Sequence, residues 1–161
     1  MATFMEEALV EARRARDAGE VPVGCVFVHE DKVIARGANE VNVYRNATRH
    51  AEFICIDATL AYCREKSLPA RQMFSEIIVV VTVEPCIMCS AALHTLGVKE
   101  IIFGCENDRF GGKTVVDVGA VVGQRIKITG GVRADEAMAL LKEFYKGDNP
   151  AAPTVAKKKK L

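Results

Sequence analysis

Four side chains in this sequence have types and spacings that can do chemistry: the imidazole of His50, the carboxylate of Glu52, and the thiols of Cys86 and Cys89 in a C-x-x-C pair. Two thiolates and one imidazole suit Zn2+, and three protein ligands leave the fourth tetrahedral position to water, the arrangement of a catalytic zinc site. Zinc bearing two thiolates is nearly neutral, so it acidifies water less than a site of three imidazoles would, and a nearby base is needed. Glu52 is that candidate, accepting a proton from water and returning it to a leaving group. Residues i and i+2 of a helix point to nearly opposite sides. His50 and Glu52 can therefore share a target only where a helix begins and its first turn is aimed at the metal.

The flanking elements allow this. From Thr48 onward, "TRHAEFICIDATLAYCREK" carries Phe53, Ile56, Ala58, Leu60 and Ala61 in helical order, with Asn46 or Thr48 available as N-cap, so His50 falls in the first turn. "EIIVVVTV" is a continuous apolar run of the kind buried on both faces of a sheet. It leads into "EPCIMCSAALHTLG", where Pro85 suits the first helical position and Gly97 the stop, which places Cys86 and Cys89 in the first turn of a second helix. A helix start also favours thiolate over thiol. The strands that precede such helices put both at the carboxyl edge of a sheet, where ligand sites of α/β proteins gather.

The remaining chain reads as a helix over residues 3–18 closed by Gly19, then two strands, "VGCVFVHE" and "KVIARGAN", around a turn at His29-Glu30-Asp31 that leaves His29 in solvent. "KEIIFGC" is a further strand. "ENDRFGGKTVVDVGAVVG" is an irregular loop with a short helical piece, "RIKIT" the last strand and "RADEAMALLKEFYK" a closing helix. The alternation predicts an α/β domain, helices covering both faces of a central sheet, over residues 1–147, followed by a flexible lysine-rich tail over 148–161.

Composition narrows the function classes. The chain has 161 residues, half of them hydrophobic, which suits one domain with its own core. The net charge is +1, and it owes its sign to Lys157, Lys158, Lys159 and Lys160 in the tail. Attraction to polyanions is therefore concentrated there. No apolar run is long enough to cross a membrane and the N-terminus is not signal-like, so the expected location is intracellular, in nucleus or cytoplasm, with no membrane partner. In a reducing compartment the six cysteines read as thiols rather than a disulfide framework, and Cys25, Cys55, Cys63 and Cys105 as small buried hydrophobes.

H-x-E followed by P-C-x-x-C is the signature of zinc nucleobase deaminases. "HAE" and "PCIMC" match it completely. Beyond the signature, "EVPVGCVFV", "GAN", "RHAEF", "TVEPCIMCSAAL" and "FGCENDRFGG" resemble the tRNA adenosine deaminase family, and "RFGG" with a lysine-rich end is similar to its eukaryotic catalytic subunit. The resemblance runs from about residue 3 to about residue 147. It implies a three-layer α/β/α cytidine deaminase-like fold with a mixed sheet of about five strands. It also implies zinc on His50, Cys86 and Cys89, proton transfer by Glu52, attack on C6 of a wobble adenosine and loss of ammonia to leave inosine. Asn39 would hydrogen-bond the target base, and the backbone of Ala51 would contact its edge. The implied partners are the tRNA anticodon loop and a catalytically inactive deaminase-like subunit forming a heterodimer.

Other readings stay open at this point. A structural zinc site in an RNA-binding subunit would need a fourth ligand from His29, His94 or a lone cysteine. A deaminase of free cytosine, cytidine or guanine would share the metal chemistry. Asn39 could be a turn residue bonding its own backbone. Arg109 and Lys113 are candidates to meet phosphates, and the four tail lysines fit an RNA clamp, a nuclear-import signal or a solvated end.

Overall fold

The structure is a computed structural model that describes residues 2–146. Its elements are α1 (Ala2–Asp17), β1 (Gly24–His29), β2 (Lys32–Ala38), α2 (Val41–Tyr44), α3 (Ala51–Glu65), α4 (Ala70–Glu76), β3 (Ile78–Val83), α5 (Ile87–Leu96), β4 (Glu100–Cys105), α6 (Val118–Val121), β5 (Lys127–Thr129) and α7 (Ala134–Lys146). The expected tail over 148–161, with Lys157 to Lys160, lies outside the described residues.

Five strands form one mixed sheet in the order β2-β1-β3-β4-β5. β1 runs antiparallel to β2 and β3, while β3, β4 and β5 are parallel. The period-two alternation of the strands divides the core into two. Phe27, Val79, Val81, Ile101 and Phe103 point to the face covered by α3, α4 and α5, where Phe74 meets Phe27 edge to face at 6.5 Å. Val26, Val28, Val80 and Ile102 point to the other face, covered by Met5 and Leu9 of α1 and Ala137 and Leu140 of α7. β3 is thus apolar except for Thr82 because both faces are buried, and the three-layer α/β/α expectation holds. Each of these large side chains contributes about 1.5–3 kcal/mol by leaving water.

Three local expectations are corrected. His29 is the last residue of β1 rather than a solvated turn residue; its side chain is 18% exposed and its Nε2 lies 2.9 Å from Glu76 Oε2. The turn itself falls on Glu30 and Asp31, both left-handed at φ 47° and 57°. The N-cap of α3 is His50 and not Asn46 or Thr48; the Asn46 carboxamide oxygen instead accepts from the Thr48 N–H and hydroxyl, shaping the turn before it. Pro85 precedes Cys86, the N-cap of α5, instead of opening the helix. Beyond these corrections, α4 is an additional helix, held by only two buried anchors, Met73 and Phe74.

Candidate active site

The two helix starts meet at the carboxyl edge of the sheet. His50 and Cys86 occupy equivalent places, each an N-cap in extended conformation (φ −78°, ψ 158° and φ −64°, ψ 167°), and neither uses its side chain to cap its own helix. Both side chains are therefore free to face the gap between α3 and α5. Cys89 enters from the first turn of α5. His50 Nδ1 lies 3.6 Å from Cys86 Sγ and 3.5 Å from Cys89 Sγ, and the three ligand atoms are within 4.8 Å of one another.

These distances test whether the residues suit zinc. Tetrahedral bonds of about 2.3 Å to sulfur and about 2.0–2.1 Å to nitrogen set the N···S edge at about 3.6 Å. Both observed edges fit. The acidities fit as well. The Cys86 thiol, hydrogen-bonded by Cys89 and facing His50, is lowered to about 4, whereas the Cys89 thiol, left beside that negative charge and buried, is pushed up. One thiolate forms readily, and the second needs a cation to form.

Glu52 is the second residue of α3 and is 3% exposed. Burial raises its carboxyl above the usual range, and it faces the Cys89 thiol. At a helix start, then, an imidazole at the N-cap and an acid two residues later converge on one site. Ala51, between them, is fully buried, and its N–H is among those that a helix leaves without an intrahelical partner. Asn39 follows the last residue of β2 and is 7% exposed; its main-chain N–H bonds Val23 O at 3.1 Å, and its amide side chain takes no partner among the described residues. The self-bonded turn reading does not describe it.

The other sequence candidates lie apart from this group. His94 is buried and hydrogen-bonds Ser90 O through Nδ1 at 2.8 Å, His29 pairs with Glu76, and the lone cysteines are free and buried, with Cys55 Sγ donating to Cys25 O at 3.3 Å. Among the described residues none of them joins the His50, Cys86 and Cys89 group. Arg109 and Lys113 are exposed on the segment after β4.

One residue that the motif reading passed over is Glu84, between β3 and Cys86. Burial alone would raise its carboxyl, but hydrogen bonds from Asn107, Thr114 and Lys113 more than offset this and hold it below the usual range. The only local signal was a carboxylate interrupting an apolar strand and a helix start.

Comparison with known proteins accords with this geometry. Residues 1–105 match the family model for the cytidine and deoxycytidylate deaminase zinc-binding region. The chain is 44% identical to tRNA-specific adenosine deaminase 2 of Xenopus tropicalis, over 98% of this chain and 95% of that protein. It is similar in structure to a protein solved in a study of A-to-I editing by tRNA deaminases at the wobble position of transfer RNA: TM-score 0.79, 29% identity, 88% of this chain and all of that one. A guanine deaminase from Nitrosomonas europaea shares the architecture at TM-score 0.72 and 25% identity, over 91% of this chain and 85% of that one. The donor geometry, the family match and the near full-length relative together show that this chain belongs to the zinc-binding cytidine and deoxycytidylate deaminase family, in its tRNA-specific adenosine deaminase branch.

Proposed function

We propose that this chain is a hydrolase that converts adenosine to inosine at the wobble position of tRNA anticodons, consuming water and releasing ammonia. The observation that carries this reading is a buried carboxyl, Glu52, set beside a zinc-fitting triad in a chain 44% identical to a tRNA-specific adenosine deaminase. His50, Cys86 and Cys89 would hold zinc, which would supply the Lewis acidity that activates a water for attack on C6. Glu52 takes the proton from the attacking water and delivers it to the departing amine, and a carboxyl whose pKa burial has raised suits both directions of transfer. Asn39 turns its amide to the polar edge of the base, and the Ala51 N–H holds the same edge in register. An anticodon loop presents unpaired bases that splay into a pocket at low cost, which makes it a fitting substrate for chemistry on an exocyclic amine.

Residues 1–147 form the catalytic domain in this reading, and Arg109 and Lys113 meet phosphates. The protein works inside the cell, in nucleus or cytoplasm, as a heterodimer with a deaminase-like subunit that lacks the proton-shuttling glutamate. If Lys157 to Lys160 each neutralise a phosphate, deleting them flattens the log affinity against log salt slope for tRNA by up to about 3 units. The test is inosine formation in a tRNA bearing a wobble adenosine, with and without the partner, beside ammonia release from free cytidine, cytosine and guanine. Inosine in tRNA alone is expected. Activity on a free base or nucleoside with none on tRNA in either condition would overturn the substrate assignment.

A further inference from the structure

Glu84 has no part in the reaction above, yet its buried carboxylate, in a residue 2% exposed, accepts four hydrogen bonds. Oε1 accepts from the main-chain N–H of Lys113 at 2.9 Å and of Thr114 at 2.7 Å. Oε2 accepts from the main-chain N–H of Asn107 at 3.0 Å and from the Thr114 hydroxyl at 2.7 Å. All four donors belong to one segment, 107–114, which has no regular strand or helix to satisfy its N–H groups. The segment is folded around an acceptor.

A second set of contacts ties the same segment to the start of α5. The Ile87 N–H donates to Phe110 O at 2.8 Å, the Gly112 N–H donates to Pro85 O at 2.9 Å, and Gly111 pairs with the metal-ligating Cys86 as an isolated bridge. Two glycines permit the close fit. A Cβ on Gly111 would lie 2.5 Å from Glu84 Oε1, and one on Gly112 would lie 2.3 Å from Ser90 Cβ. The inner edge of the loop is thereby held against the metal-binding helix, while its outer edge exposes Arg109, Lys113 and Phe110, the last 63% exposed. Two cations and one aromatic ring are the groups that take phosphates and stacked bases of a single-stranded nucleic acid.

We propose that Glu84 is a positioning residue for tRNA: its carboxylate holds the 107–114 loop across the start of α5, so that Arg109, Phe110 and Lys113 meet the RNA as a preformed edge. The proposal rests on tRNA being the substrate. Without the anchor, the loop must be ordered at the moment of binding, a cost that falls on affinity rather than on the chemical step. Glutamine does not replace glutamate here, because its NH2 group would face N–H or O–H donors where an acceptor is required.

The experiment compares wild type, Glu84→Gln and Thr114→Val as zinc-loaded full chains with tRNA, reading KM, kcat, zinc content and hydrogen exchange of the loop amides. For Glu84→Gln the expected result is faster exchange over 107–114 and KM raised about tenfold, with kcat within about twofold and zinc unchanged. Thr114→Val, which removes one of the four hydrogen bonds at an exposed position, raises KM about threefold and decides the matter if Glu84→Gln fails to fold. An unchanged KM despite loosened loop amides overturns the proposal. So does loss of zinc and kcat at constant KM, which would make Glu84 a support of the metal centre. A wild-type chain inactive on tRNA under all conditions would remove the substrate reading and the proposal together, whereas an active wild type with an unchanged Glu84→Gln KM removes the proposal alone.

Discussion

Gly37→Ala tests how the sheet aims the first turn of α3. Gly37 lies in β2 directly beneath that turn, and a Cβ there would sit 2.3 Å from Ala51 O, 3.0 Å from Cys55 Sγ and 3.1 Å from Ile54 Cβ. Close carbon–oxygen contacts of folded proteins begin at about 3.3 Å, so α3 must retreat from β2 by about 1 Å to admit one methyl group. Overpacking of this kind costs about 1–3 kcal/mol. For a domain of this size that lowers Tm by about 3–10 °C. The same displacement moves Ala51 and its neighbours His50 and Glu52, and a misplacement of about 1 Å in a catalytic group costs about a hundredfold in turnover. Calorimetry and inosine formation on zinc-loaded protein measure the two effects side by side. A normal Tm would refute the packing argument, and a lowered Tm with wild-type turnover would refute the link between β2 and the site.

Cys89→Ser keeps the volume but removes a thiolate, so zinc content and Tm are expected to fall together, and chelator treatment of the wild type to lower Tm similarly; a serine variant with full zinc would disprove the ligand assignment. Glu6 bridges Arg13 and Arg133 and so ties α1 to the segment entering α7; hydrogen bonds from Arg13 and then Arg133 lower its carboxyl below the usual 4.5. Its stabilisation is thus present above the unfolded-state value and disappears as pH falls through the lower folded-state value. Glu6→Gln should lower Tm slightly at pH 7 and not at about pH 2, and a deficit of equal size at both pH values would show that charge is not the cause.

The parts of this fold that were legible in the sequence are those whose signals are local. The apolar run of β3, the helical order after Thr48 and the C-x-x-C at a helix start each declare themselves within one element, and together they bring His50, Cys86, Cys89 and Glu52 to one edge. What was not legible depends on partners far along the chain. His29 is only partly exposed and pairs with Glu76, 47 residues on. The role of Glu84 depends on donors 23 to 30 residues away. α4 has only two anchors, too few to mark a period. Asn46 and Thr48 have better capping chemistry than His50, but those residues bond each other and leave the N-cap to His50, whose side chain faces Cys86 and Cys89.

The most direct test of the account is Glu52→Gln, which preserves shape and removes the titrating oxygen. The purified variant is assayed for zinc content and for inosine formation in a tRNA with a wobble adenosine. The account predicts an unchanged zinc-to-protein ratio with activity reduced by at least about 10²–10⁴-fold. Zinc loss would make Glu52 a ligand, and activity near wild type would show that the proton moves by another route.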